Sequence, residues 1–211
     1  MRHSKPSGFT LIEFAIVIAI ISLMITLTAK GNELLVNSTV KILSFDFNNI
    51  QLAINGYRDK FRALPGDDRK ASAHLPAAGV AVNNGNGNSV INASWNAVSG
   101  ESYFLWQHIR LAGLMQGTAD TNANDYIPRN TTGGALGVSG AAFSPIPGLK
   151  GEYIICSDHI AGRLVKQLDL SMDDGNTASG MMMVSNPTYG GAAINTADIN
   201  EGARYLVCMG V

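Results

Sequence analysis

Apolar residues are concentrated near the start of the chain, where residues 14–29 contain no charged side chain. Counted from Phe9, the apolar stretch runs for twenty-one residues to Ala29, and only Glu13 interrupts it. An α-helix of this length rises about 30 Å, which is enough to cross the hydrocarbon core of a bilayer. The pattern therefore predicts one membrane-spanning helix. The carboxylate of Glu13 near its start needs an explanation, because a charge inside a membrane is costly.

The helical pattern continues beyond the uncharged run as an amphipathic segment. Eight apolar residues recur at alternating spacings of four and three, which is the period of one helix face: Val36, Val40, Leu43, Phe47, Ile50, Ile54, Tyr57 and Phe61. Pro65 and Gly66 then predict the end of the helix. This face either pairs with a second helix as a coiled coil or packs on the chain's own globular part.

The remaining chain alternates loops with short elements. Residues 67–100 and 117–150 are rich in small and polar residues and are predicted to be loops. A helix is expected over residues 101–115, with Phe104, Leu105, Ile109 and Ala112 on its buried face. Residues 151–156, 181–184 and 203–208 are predicted strands, and residues 158–170 a second helix. The order of elements predicts an α+β fold with a long N-terminal α-helix and a small antiparallel sheet.

Composition and motifs exclude several functional classes. Charged residues make up 15% of the chain and the net charge is −1, so no general basic field would recruit nucleic acid. The basic residues near the end of the long helix (Arg58, Lys60, Arg62, Arg69 and Lys70) are interleaved with acidic ones. The sequence contains no nucleophile elbow, zincin motif or phosphate-binding loop, and its four histidines are scattered. We therefore predict that the protein is not an enzyme.

The residues around Glu13 resemble a known processing motif. A basic leader with Arg2 and Lys5 is followed by Gly8, Phe9 and, five residues after Gly8, Glu13, directly before the apolar run. This combination resembles the processing site of type IV pilins and type II secretion pseudopilins. A secretory signal peptide is a poorer interpretation, because Thr28-Ala29-Lys30-Gly31 is a weak cleavage site. A plain membrane anchor would leave Glu13 unexplained.

The resemblance implies a processing pathway and a set of partners. Prepilin peptidase would cut between Gly8 and Phe9, and Phe9 would be N-methylated. The mature subunit would pass from the inner membrane, through an assembly platform, into a filament of pilin subunits. The implied segments are a leader at 1–8, a transmembrane and filament-core helix at 9–30, its amphipathic continuation at 31–63 and a globular head at 64–211.

Glu13 has a physical role in this scheme. Cleavage creates an α-ammonium group on Phe9, four residues from Glu13 and on the same side of the first helical turn. A buried carboxylate is tolerable when it is paired, and the resemblance implies pairing with the Phe9 ammonium of a neighbouring subunit. Glu13 is thus expected to set the register of assembly. The positive leader holds the N-terminus in the cytoplasm until cleavage.

The chain also departs from the family pattern. Many type IV pilins carry a glycine and a proline early in this helix, where the chain can unwind in the filament. Ser22 and Lys30 stand at the matching positions here. Whether the helix unwinds on assembly is therefore left open.

Two further features concern the head. Cys156 and Cys208 lie on predicted strands, and a domain outside the inner membrane meets an oxidising compartment, so a disulfide is expected. Two buried free thiols are the alternative. Asp169, Asp173 and Asp174 precede a Gly-Asn turn and are the best candidate for a metal site, with calcium as the metal, although the spacing does not fit an EF-hand. Otherwise no cofactor is predicted.

The sequence thus predicts a structural, minor subunit of a type IV pilus from a Gram-negative bacterium. The mature chain of 203 residues (211 minus the leader of 8) is long for a main subunit. One alternative is a pseudopilin of a type II secretion system, which shares the same N-terminus. Another is a tip subunit whose loops bind a ligand for adhesion or DNA uptake.

Overall fold

The computed structural model describes residues 10–76, 79–187 and 191–211, without the side chains of residues 28 and 29. The chain forms two compact units, Met1–Ser38 and Thr39–Val211. We call the second unit the head. The cleavage-site residues Gly8 and Phe9 lie outside the described residues.

The first element is a 51-residue helix, α1, over Leu11–Phe61. It is helical through Ser22 and Lys30, the two positions at which the family pattern has glycine and proline. Within the head, α1 buries the face that the four-three spacing predicts, and Leu43, Phe47, Ile50, Ile54 and Tyr57 are fully buried. The helix ends at Phe61, and Arg62 takes a left-handed backbone conformation with a φ of 56°.

The other helices of the head are short. Helix α2 covers Ala71–His74, α3 covers Glu101–Leu111 and α4 covers Gly162–Met172. Two single 3-10 turns lie at Ala141–Phe143 and Thr196–Asp198. All described elements fit the predicted α+β class, with one long apolar helix followed by a globular part.

A four-stranded antiparallel sheet forms the centre of the head. Its strands are β1 (Leu136–Gly140), β2 (Tyr153–Ala161), β3 (Met182–Ser185) and β4 (Arg204–Gly210), in the order β1-β2-β4-β3. Strands β2 and β4 are buried on both faces along most of their length. One face packs in a cluster that contains Trp95, Ile146 and the two cysteines.

The sequence prediction missed β1 and misplaced the start of α4. Strand β1 lies in the segment 117–150 that was predicted to be a loop, because its sequence Leu-Gly-Val-Ser-Gly lacks a strand-like apolar pattern. Its glycines have a packing reason: a Cβ on Gly137 would collide with the Trp95 carbonyl oxygen. Residues 158–161, expected in a helix, continue β2 through a bulge between Ser157 and Ile160.

The described part of the segment 67–100 is irregular except for α2, which the loop prediction missed, and several of its residues belong to the core. Ile91 and Trp95 are buried, as are Asp67 and Asp68. The predicted face of α3 was also only partly right. Leu105 and Ile109 are buried, whereas Phe104 and Ala112 are half-buried and several polar residues take the interior positions.

Candidate functional site

The first turn of α1 is closed by a reciprocal cap between Thr10 and Glu13. The Thr10 amide donates to Glu13 Oε2 over 2.8 Å, and the Thr10 hydroxyl donates to the same oxygen over 2.7 Å. In return the Glu13 amide donates to Thr10 Oγ1 over 3.3 Å. This is a capping box, which satisfies donors that the start of a helix leaves without partners. In the single chain, Glu13 therefore has a local partner for its carboxylate.

The apolar run that follows is exposed on the single chain. Among the described residues 11–27, twelve large apolar side chains are between 48% and 90% exposed: Leu11, Ile12, Phe14, Ile16, Val17, Ile18, Ile20, Ile21, Leu23, Met24, Ile25 and Leu27. Among the described residues, α1 is the helix that has the length and composition to cross a membrane. Exposed apolar surface of this extent marks a membrane or protein interface.

The two hydroxyl groups of the run whose side chains the structure describes, Ser22 and Thr26, form hydrogen bonds within the helix. The Ser22 hydroxyl donates to the Ile18 carbonyl over 2.7 Å, and the Thr26 hydroxyl donates to the Ser22 carbonyl over 2.9 Å. Such bonds to the preceding turn allow hydroxyls in an apolar environment without unpaired donors. Charged residues return only after the run, where Lys30 and Glu33 form an exposed ion pair at 3.3 Å.

The two cysteines of the chain form a disulfide in the head. Cys156 on β2 lies directly opposite Cys208 on β4, and the two sulfurs are bonded. Both residues are fully buried in the cluster with Trp95 and Ile146. The bond fits a head that folds in an oxidising compartment, and it leaves neither thiol for catalysis.

Acidic side chains in the head hold the polar loop that follows α2. The Asp67 carboxylate accepts hydrogen bonds from the amides of Gly87, Asn88 and Ser89 at 2.7–3.0 Å. Glu101, at the start of α3, accepts from the amides of Asn86 and Asn92 at 2.9 and 2.8 Å. Residues 85–92 have no regular apolar pattern. Their conformation is held instead by hydrogen bonds from their backbone amides to these two carboxylates.

A second group of polar contacts joins the end of α1 to α2. The Asp68 carboxylate accepts from the Tyr57 hydroxyl over 2.7 Å, and its Oδ2 lies 2.6 Å from His74 Nδ1. Burial works to raise the pKa of Asp68, but its hydrogen bonds with His74, the Lys70 amide and Tyr57 outweigh burial and hold the pKa below its ordinary value. Asp68 is therefore a structural carboxylate that stays ionised.

Buried polar residues of α3 fasten the loops on either side of it. His108 accepts from the Gly66 amide at Nδ1 over 2.8 Å, and its Nε2 lies 2.7 Å from the Asn83 carbonyl, so the ring is the neutral Nε2–H tautomer. Burial lowers the pKa of His108, which agrees with a neutral ring. Arg110 donates to the carbonyls of Thr118 and Tyr126 at 2.8 and 2.6 Å. Sequence patterns missed these contacts because their partners are backbone atoms far along the chain.

The acidic candidate for a metal site is arranged around a buried carboxylate. Asp169 is fully buried on α4, and neither of its side-chain oxygens has a hydrogen bond of good geometry among the described residues. Burial, followed by the charges of Asp173 and Asp174, raises its pKa to about 6 and outweighs the nearby Gly175 backbone amide, which lowers it. The Asp173 carboxylate accepts from the Met182 amide over 2.8 Å. No group of three or more potential ligand residues in the described part of the chain could hold a metal ion.

Three of the five basic residues near the end of α1 contact other groups of the chain. Arg58 pairs with Glu152 at 2.9 Å, and Arg69 donates to the Asn86 carbonyl at 3.0 and 3.2 Å. Lys60 lies over the Phe61 ring, 5.1 Å from its centroid. These contacts, with the neighbouring acidic side chains, leave less positive charge available to a phosphate backbone.

Among protein-family models, residues 3–29 match the prokaryotic N-terminal methylation motif, the signature of type IV pilins and pseudopilins. The match covers residues 3–8 of the leader, the predicted cleavage site, Glu13 and the apolar run. No curated protein and no solved structure matches the chain. The family comparison thus confirms the resemblance that the first residues carry, and it concerns the N-terminal segment alone.

Proposed function

We propose that this chain, which carries the type IV pilin and pseudopilin signature, is a minor structural subunit of a type IV pilus. The observation that supports the proposal best is the coincidence of the methylation motif at residues 3–29 with a helix whose apolar residues are exposed. Such a helix needs a bilayer before assembly and other helices afterwards. A structural role also accounts for a head without a catalytic signature.

In the proposed pathway, the leader is removed between Gly8 and Phe9, and Phe9 is methylated. Glu13 then exchanges partners. In the single chain its carboxylate accepts from Thr10, and in the filament it faces the Phe9 ammonium of the neighbouring subunit. An ion pair in an apolar surrounding is tolerated only when the two charges meet closely, so the exchange fixes the axial position of each incoming subunit.

The head would be periplasmic before assembly and displayed on the filament afterwards. The disulfide between Cys156 and Cys208 supports this location, because stable disulfides form in oxidising compartments. The size of the mature chain and its long ordered loops favour a minor subunit. A pseudopilin of a type II secretion system is the second candidate, since the same N-terminal motif serves both systems.

Processing tests the proposal directly. The mature protein should begin at Phe9 and carry one additional methyl group, as measured by intact mass and N-terminal sequencing. Gly8→Leu should retain the leader, because the peptidase must approach the backbone closely at that position. Ser7→Leu, which adds the same bulk one residue earlier, is the matched control and should be processed. Retention of Met1 in the wild type, or a cut after Ala29, would contradict the proposal.

Localisation separates the two candidates. Sheared surface filaments should contain the mature chain at a low ratio to a main subunit, as quantified by mass spectrometry. A deletion strain that keeps its surface filaments but fails to release exoproteins would favour the pseudopilin instead.

A further inference from the structure

The bulge in β2 holds His159 in a backbone conformation that few residues adopt. The register between β2 and β4 shifts between Ser157 and Ile160, and His159 lies within the shift with a φ of 59°. This left-handed conformation is uncommon for residues other than glycine and persists where the surrounding structure imposes it. Bulges redirect side chains and are frequent beside binding sites, so His159 is a candidate for a side chain that the fold directs toward a ligand.

Three side chains from other segments of the head hold the bulge in place. The Asn130 amide donates to the Asp158 carbonyl over 2.7 Å. The Thr132 hydroxyl and the Arg204 guanidinium donate to the His159 carbonyl over 3.2 and 2.9 Å. Both backbone carbonyls of the bulge therefore have side-chain donors, and these contacts maintain the left-handed residue.

The imidazole of His159 is oriented by the neighbouring carboxylate. Its Nδ1 lies 2.7 Å from Asp158 Oδ2, while Asp158 Oδ1 accepts from the His159 amide over 2.6 Å. A carboxylate accepts hydrogen bonds, so Nδ1 carries a proton. The side chain of His159 is 56% exposed, and its Nε2 has no hydrogen-bond partner among the described residues. Nε2 accepts a hydrogen bond when the ring is neutral and donates one when the ring is protonated.

The oriented ring lines a cavity of about 310 Å³ in the head, together with residues of the loop before α3 and of the chain beside β1 and β3. The lining residues are Trp95, Asn96, Ala135, Asp158, His159 and Pro187. Asn96 is exposed, and its side-chain amide has no hydrogen-bond partner in the described part of the chain. An apolar lining with a few grouped polar side chains is the usual form of a ligand site. The volume is near the lower end of the usual range of about 300–1,000 Å³, so the cavity suits one small ring.

We propose that this cavity binds a single sugar ring, with His159 Nε2 and the Asn96 amide as the hydrogen-bond partners of its hydroxyl groups. Both partners donate as well as accept, and a hydroxyl group does the same, whereas an ammonium group only donates and a carboxylate only accepts. Both oxygens of Asp158 are already engaged by His159, which leaves the carboxylate less available to a cation. Trp95, Ala135 and Pro187 provide apolar surface for the C–H groups of the ring. This binding activity is additional to the proposed function and does not depend on it.

Ligand-detected NMR on the full-length protein tests the proposal. The protein is held in micelles of a phosphocholine detergent, whose head group contains no sugar. The probes are glucose, galactose, mannose and N-acetylglucosamine, each as the free sugar and as both methyl glycosides. We expect saturation transfer to at least one probe, with a dissociation constant of about 1 mM. Binding of a methyl glycoside indicates that the end of a longer glycan fits, and binding of the free sugar alone indicates a soluble ligand.

A probe with the same ring but a single hydroxyl group, tetrahydropyran-2-methanol, is the matched control. It lacks most hydrogen bonds of a sugar and should bind at least about tenfold more weakly. Equal binding of this control would show adsorption to the apolar lining alone and would overturn the proposal. The absence of saturation transfer to every sugar and glycoside would overturn it as well.

Two variants assign the binding to the cavity. His159→Gly removes the ring and suits the left-handed backbone, and Asn96→Ala removes an exposed amide. Each should weaken binding about fivefold, the effect of one lost hydrogen bond. Asn55→Ala removes an exposed amide on α1, outside the cavity, and should bind as the wild type does. Protection of Cys156 and Cys208 from alkylation shows that each variant folds. Unchanged affinity in Asn96→Ala and His159→Gly would overturn the proposal.

Discussion

The N-terminal part of α1 and the head differ in where their apolar side chains lie and in where their polar groups find hydrogen-bond partners. Along residues 11–27 the apolar side chains are exposed, and the polar groups bond to atoms three or four residues away. In the head most large apolar side chains are buried, and polar groups such as Asp67, His108 and Arg110 bond to backbone atoms 8 to 42 residues away. The apolar side chains of the first region therefore require a membrane or a protein partner, whereas those of the head are covered largely by the head itself.

This difference predicts that substitutions in the two regions change different measurable properties. A substitution in residues 11–27 removes little that holds the single chain together, because those side chains contact few others, and its effect should appear in assembly. A substitution of a buried polar residue in the head should instead appear in the free energy of unfolding. The following four predictions test this division, from the largest expected effect to the smallest.

Glu13 is expected to give the largest effect, and the effect should fall on assembly. Removing one partner of a buried ion pair costs about 3–5 kcal/mol, so Glu13→Ala should lower the filament-borne fraction at least about tenfold while membrane insertion and cleavage continue. The measurement compares membrane-held and filament-borne protein in a strain without the wild-type copy.

The variant Glu13→Gln distinguishes the role of the negative charge of Glu13 in assembly from its role in capping the helix. Glutamine can accept from the Thr10 amide as glutamate does, but it cannot pair with an ammonium group. If Glu13 acts as a registry charge, Glu13→Gln should assemble as poorly as Glu13→Ala. Near-normal assembly of the glutamine variant would assign Glu13 to helix capping alone.

The disulfide is expected to make the largest single contribution to the stability of the head. Cys156 and Cys208 are 52 positions apart, and closing a loop of this length stabilises the folded state by about 4 kcal/mol on the loop-entropy model. The double variant Cys156→Ala with Cys208→Ala should lose roughly that amount in denaturant unfolding. A loss below about 1 kcal/mol would show that the backbone pairing of β2 with β4, rather than the crosslink, holds the two strands together.

Arg110 tests whether buried polar contacts hold the loops. Arg110→Met keeps the apolar length of the side chain but leaves the carbonyls of Thr118 and Tyr126 without their donor. Each buried unpaired group costs about 1–3 kcal/mol, so we expect a loss of about 3 kcal/mol and faster amide exchange in residues 117–126. Arg58→Met removes a half-exposed ion pair with Glu152 and should cost less than about 1 kcal/mol. Equal losses in the free energy of unfolding for Arg110→Met and Arg58→Met would contradict the view that the buried contacts of Arg110 stabilise the head more than the exposed ion pair of Arg58.

Asp169 should show the smallest effect, with a dependence on pH. Its pKa is raised from 3.8 to about 6, so folding favours the protonated form. Stability from this carboxyl group is present below pH 4 and is lost as the pH rises through 6. Ionising this buried carboxyl group costs the folded state at most about 3 kcal/mol at high pH. Asp169→Asn removes that cost, but the buried asparagine amide itself needs hydrogen-bond partners. We therefore expect the variant to be more stable than the wild type by about 2 kcal/mol at pH 8.

Chelator-treated protein is the appropriate sample for this measurement, because a cation near Asp173 and Asp174 would offset the same charge. The wild type and Asp169→Asn should have nearly equal free energies of unfolding at pH 4. A variant that is less stable than the wild type at pH 8 would show that the ionised carboxylate has a favourable partner.

The amount of structure that a sequence pattern reveals differs between the two regions for a physical reason. The helix over Leu11–Phe61, its apolar run and the buried face from Leu43 to Tyr57 all depend on contacts one turn apart, and the spacing of residues encodes such contacts directly. The class of fold and the strands around Cys156 and Cys208 followed from short apolar runs. The methylation motif is likewise a local signal.

The tertiary structure alone decided the features that depend on distant backbone atoms. Strand β1 pairs with β2 and lies so close to the backbone of Trp95 that position 137 has no room for a Cβ. Residues 85–92 take their conformation from Asp67 and Glu101. The turn after α3 and α1 together line a groove that contains Leu52 and Leu114. A linear pattern records the polarity of each residue and its near neighbours. It does not record which carbonyl or amide the fold brings to a side chain, since that depends on the whole path of the chain between them.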